Sequence, residues 1–99
     1  MIAFRRTVSV APGMFSAAIA FANEIKAQVK ASAGVDLQIA IPVGGNPNRI
    51  AWVSSHENLA QIDTVTQKLL GDQKYQELLK KAAGIVVPDT TFDEIWRTF

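Results

Sequence analysis

The one side chain here that changes charge near neutral pH without help is His56, the only histidine among 99 residues. Serines stand at 54 and 55 just before it and Glu57 follows, so a general base has hydroxyls close by in sequence. Neighbours in sequence are not thereby a nucleophile and its base, and no third residue is placed to orient them. The plainer reading of Ser54-Ser55-His56-Glu57 is a capping box that opens a helix. Ser54 would accept from the Glu57 N–H while the Glu57 carboxylate reaches back. On that reading His56 is an exposed cap residue; as a catalytic group it would be a base.

Arg5 and Arg6 are the next candidates. Consecutive strand residues point to opposite faces, so one arginine enters the layer beneath any helices and the other takes the opposite face. Arg5 with Thr7, Ser9 and Gln38 has the makings of an anion site built on charge-assisted hydrogen bonds. The alternative is an ion pair between subunits, or a snorkelling surface residue. Trp52 joins a large apolar area to one polar N–H and suits either a core or a pocket wall. Asp93 and Glu94 fall on opposite faces of their strand and cannot act as a catalytic carboxylate pair. Gly44-Gly45-Asn46-Pro47 lacks both the glycine spacing and the lysine of a phosphate loop.

The elements that must position these residues follow from periodicity. Residues 2–10 alternate as a strand, with Ile2, Phe4, Val8 and Val10 on one face and Arg6 breaking it. After Pro12-Gly13 the spacing turns helical over 14–33, with Phe15, Ala18, Ile19, Ala22, Ile25 and Val29 on one side and Gly34 as the C-terminal cap. Residues 36–43 read as a second strand, whose Pro42 places it at an edge or a bulge. A turn of about five residues joins it to a third strand over 49–53. A second helical stretch is split at Gly71, with Asp72 capping the part that carries Tyr75, Leu78 and Leu79. The last strand spans 91–99, with Phe92, Glu94 and Trp96 pointing one way and Ile95, Arg97 and Phe99 the other. The order β-α-β-β-α-β predicts a single α+β domain over 1–99, a ferredoxin-like four-stranded antiparallel sheet with its helices on one face. Two helical stretches cannot cover both faces, so the other face is left for solvent, ligand or protein.

Composition narrows the chemistry. The chain is 48% hydrophobic and 19% charged, enough apolar material for a core. With no cysteine it has no disulfide, thiol nucleophile or thiolate metal site, and one histidine excludes a multi-histidine zinc site within one chain. No cofactor is expected. A net charge of +1 without a block of like charge gives no footing for nucleic acid or an anionic membrane. No apolar run reaches the roughly 18 residues of a membrane span, and a signal-peptide pattern is missing, so a cytoplasmic protein is expected.

The element order, the helix opened by Pro12-Gly13, the hairpin Val43-Gly44-Gly45-Asn46-Pro47-Asn48-Arg49-Ile50-Ala51-Trp52 and the aromatic C-terminal strand resemble the dimeric α/β-barrel superfamily, its NIPSNAP-like members above all. The resemblance implies a homodimer packed sheet against sheet, with Phe92, Trp96 and Phe99 in the interface. It implies either a module that binds a small hydrophobic ligand or serves in interaction, or a cofactor-independent monooxygenase or isomerase of the antibiotic-biosynthesis type. A ligand would meet Arg5, Thr7, Gln38 and Trp52, with His56 as the catalytic residue. Haem-degrading members combine an Asn, a Trp and a His; Trp52 and His56 are present here, but the first strand has no Asn. RNA-recognition modules share the element order but stack bases on two aromatics of the third strand, where this chain offers only Trp52.

Overall fold

The computed structural model describes residues 1–99. Its elements are β1 (Ile2–Ser9), α1 (Phe15–Ala33), β2 (Gln38–Ala40), β3 (Arg49–His56), α2 (Leu59–Leu70), α3 (Gln73–Lys80) and β4 (Phe92–Arg97). The four strands form one antiparallel sheet in the order β2-β3-β1-β4. This is the ferredoxin-like α+β arrangement expected.

Register decides which residues meet the helices. Val8 lies opposite Ile50 and Arg6 opposite Trp52, and Ile39 opposite Trp52 on the far side. Val8, Ile50 and Trp52 pack in one core with Ala18, Phe21, Ala22, Ile25 and Val29 of α1, and with Tyr75 and Leu78 of α3. Ile50 is 1% exposed and is the largest fully buried side chain. Trp52 therefore belongs to the core. Its indole N–H donates to the Ala22 carbonyl at 3.3 Å, and its ring meets Phe21 edge-on at 6.3 Å. Phe21 fell outside the expected apolar stripe of α1, yet it is buried while Phe15 and Ile19 are only partly covered.

Several expected boundaries are corrected. The second strand shrinks from 36–43 to Gln38–Ala40, and Ile41 and Val43 are exposed beyond it. Pro42 has no N–H to give to the ladder, so the connection to β3 runs over residues 41–48 rather than five. The third strand runs on to His56, because β1 extends to Ile2, which lies opposite His56. Ser54-Ser55-His56-Glu57 is thus not a capping box. The cap of α2 is Asn58, whose Oδ1 accepts from the Gln61 N–H at 2.9 Å, while the Gln61 side chain accepts from the Glu57 N–H at 2.9 Å. The cap thus lies four residues later than expected, and the side chain three positions after it reaches back to the N–H before the cap rather than to the cap's own. The Gly34 and Asp72 caps stand as expected. Gly34 sits at φ 71 with its N–H on the Lys30 carbonyl, and Asp72 accepts from the Tyr75 N–H at 3.2 Å. A hydrogen bond from Gln28 at 2.8 Å ties Asp72 to α1 and, with one from Ser32, holds its carboxyl below the usual range.

The last strand is shorter than 91–99, and its approach is broken. Val86 bridges Val10, and the Val87 N–H donates to the Ser9 carbonyl. The chain then leaves the ladder, with Asp89 in the left-handed region at φ 63. The Thr90 hydroxyl fills the gap, accepting from the Ser9 N–H at 3.1 Å and donating to the Val87 carbonyl at 2.7 Å. Pairing resumes at Phe92 opposite Thr7. Ile50→Ala removes buried methyl groups at the centre of this core and should destabilise the domain by about 2–5 kcal/mol. Urea denaturation monitored by Trp fluorescence checks it.

Candidate functional site

His56 ends β3 on the helix-facing side and is 5% exposed, so it is a buried strand residue and not the exposed cap residue of the plainer reading. Residues two apart on a strand share a face, and Ser54 is the neighbour this gives it. The Ser54 hydroxyl and the His56 Nε2 are 2.8 Å apart. In the tautomer protonated at Nδ1, Nε2 accepts the hydroxyl proton. Both residues border an open groove of about 370 Å³ at the start of β2, shared with Gly34, Asp36 and Gln61. Burial pushes the His56 pKa below its ordinary 6.5. The ring is therefore neutral at pH 7 and able to take a proton. No carboxylate holds the imidazole in the manner of a triad, so the pair can exchange a proton but is not a complete nucleophilic machine.

The residues expected to hold a ligand do not converge. Arg5 and Thr7 share the uncovered face of the sheet, and Gln38 lies on it too, opposite Val53, which itself faces Arg5. Trp52 is on the other side. Arg5 is also not free: its guanidinium pairs with Glu94, directly opposite on β4. Arg6, on the helix side, makes a two-pronged pair with Asp93 at 2.7 and 2.8 Å, and the hydrogen bond to Asp93 raises its pKa further. These partners were missed from sequence, because the signal has meaning only once β1 and β4 are known to be neighbours. The doublet Arg5-Arg6 on one edge of an antiparallel pair and Asp93-Glu94 on the other put a cation and an anion together on each face. Ser54 as the partner of His56 was missed as well, since it follows only when β3 runs past Val53 to His56. No three His, Asp or Glu side chains converge as metal ligands, and no helix is long and apolar enough to cross a membrane.

The uncovered face carries the aromatic residues. Phe92 and Trp96 lie on it opposite Thr7 and Ala3 and are 62% and 59% exposed. Phe99 follows the strand, fully exposed.

The fold is shared with known structures of two descriptions. An uncharacterised NIPSNAP domain protein from Burkholderia xenovorans superposes with a TM-score of 0.84 at 10% identity, over 100% of this chain and 95% of that one. A NIPSNAP family protein of unknown function from Agrobacterium tumefaciens gives 0.81 at 17% identity, over 99% and 87%. A candidate antibiotic biosynthesis monooxygenase from Nitrosomonas europaea gives 0.73 at 12% identity, over 100% and 99%. At these identities the likeness is one of fold. No family model matches the sequence, and no curated protein does.

The buried imidazole makes stability depend on pH. The folded pKa of His56 lies below its unfolded value, so the unfolded chain binds the proton more readily. Stability from this group is complete above pH 6.5 and falls as pH drops below it. Urea midpoints taken at pH 7.5 and 5.5 should show that loss, and His56→Gln should reduce it.

Proposed function

We propose that this protein is a homodimeric interaction module that associates through the uncovered sheet face. One observation carries the reading: helices cover a single face, and the other presents Phe92 and Trp96 to solvent beside Ala51, Val53 and Ala40. Large aromatics exposed together on a small domain mark a contact surface, and Phe99 extends it. Packing at Trp52 also supports a module over an enzyme, since the ring fills the core where a pocket wall would have stood. The Arg5–Glu94 pair lies within the same face and would be desolvated with its charges already matched.

A second reading has its own observation, the 2.8 Å contact of Ser54 with His56 beside an open groove. It makes the domain a cofactor-independent monooxygenase or isomerase for a small hydrophobic molecule, with His56 as the base and Gln38, which lines the same groove, contacting ligand; Arg5 and Thr7 lie on the sheet face opposite His56 and stay outside this site. That reading requires His56→Ala to lower turnover by about 10²–10⁴-fold. Localisation in the cytoplasm accords with either.

Light scattering on the purified chain should give at least twice the monomer mass of 10.8 kDa. Phe92→Ser with Trp96→Ser should weaken association by about tenfold or more, as loss of aromatic anchors does, while leaving the circular dichroism unchanged. A wild-type mass of 10.8 kDa at high micromolar concentration overturns the reading.

A further inference from the structure

Strand β4 has only one neighbour in the sheet. It pairs with β1 and with nothing on its other side, and Ile95, on the face that carries the helices, is still 52% exposed. The outward groups of this edge can be identified. The Thr98 N–H donates to the Met1 carbonyl. Bonded and non-bonded pairs alternate in an antiparallel ladder, so Trp96, Glu94 and Phe92 spend their backbone groups on β1. Asp93, Ile95 and Arg97 turn theirs outward.

We propose that β4 pairs edge to edge with β4 of a second copy, antiparallel about a two-fold axis at Ile95. This is a contact separate from the sheet-face association above and does not rest on it. Three features of the edge agree on this partner and this register. An axis at Ile95 sets Ile95 against Ile95 of the second copy, and Asp93 against its Arg97. All of these positions turn their N–H and carbonyl outward, so each opposed pair falls where hydrogen bonds form. The side chains match as well. Asp93, Ile95 and Arg97 share one face of β4 and read acid, apolar, base, a pattern complementary to itself when reversed. Arg97 has no ion-pair partner within its own chain, whereas Arg5 and Arg6 do. In the pairing it meets Asp93 of the second copy, extending the Arg6–Asp93 pair into a row across the join. An isologous contact of this kind is closed after two copies. An exposed edge with no proline is open to such pairing, and the charges at Asp93 and Arg97 that would guard it against other strands are matched in this register. Combined with face-to-face association, it builds a tetramer.

The absence of cysteine makes the register testable. Across a bonded antiparallel pair the Cα atoms are about 5.5 Å apart, within disulfide reach. Ile95→Cys should therefore give a covalent dimer on mild oxidation, at least tenfold faster than Ile41→Cys, an equally exposed position off this edge. Ile95→Pro gives a second measurement. The Ile95 N–H points away from β1, so proline there spares the internal ladder. Light scattering of this variant should lose one doubling of mass while the β signal is kept. Ile95→Cys crosslinking no faster than Ile41→Cys overturns the proposal. So does preferential crosslinking of Ile95→Cys to Ile39→Cys in a mixture, which would place the β2 edge there instead. If position 95 fails while a mass of twice 10.8 kDa persists, the edge pairing falls and the sheet-face dimer stands. If both fail, the chain is a monomer.

Discussion

Two adjacent residues on each of two strands attach β4 to the rest of the molecule. Arg5 and Arg6 of β1 meet Glu94 and Asp93 of β4, one ion pair on each face of the sheet. Neither pair is worth much alone, because both are partly exposed and screened by water. Together they do something that hydrophobic contact cannot do here, since β4 buries no apolar side chain. They forbid a slip. Moving β4 by one residue would turn each acid to the face opposite its arginine and every aromatic with it. The exposed aromatic face, the free outer edge and the placement of Arg97 all presuppose this register.

Much of the fold could be read in advance, for identifiable reasons. Helix α1 is long, has a clear apolar stripe and ends on a glycine that adopts a left-handed conformation, so its limits were nearly right. Gly71 and Asp72 divided the second helical stretch at the expected place, because a capping carboxylate leaves a local mark. The errors came where a partner strand sets the limit. Strand β3 runs to His56 because β1 is there to receive it, which nothing in Ser54-Ser55-His56-Glu57 reveals. Strand β2 stops at Ala40 for the opposite reason: its residues keep alternating, but the chain has left its partner.

The same distinction separates the legible from the hidden parts of the candidate site. That Arg5 and Arg6 diverge was a matter of strand geometry. That each is neutralised by β4 depends on which strands are neighbours, a property of topology. The exposure of His56 was misjudged through its element: a helix cap faces water, whereas the end of an inner strand is covered by the helix that follows. For Trp52 both faces were open, and only the pairing of Arg6 with Trp52 and Val8 with Ile50 assigns it to the core.

The interruption before β4 has a consequence for the whole surface. Val86 faces Val10, but Phe92 faces Thr7. Six steps along the last segment thus answer three along β1, and three residues are surplus. Because the surplus is odd, the alternation of the chain is inverted as it passes the Thr90 hydroxyl. Even-numbered residues oppose the inward-facing positions of β1 before the interruption, and odd-numbered ones oppose them after it. The short detour around Asp89 is therefore a parity switch. It directs Phe92 and Trp96 outward and lets Asp93 and Ile95 follow Arg6 and Phe4 on the helix side. A single residue gained or lost there would exchange the two faces of β4 and leave the molecule a different exterior without altering any of its helices.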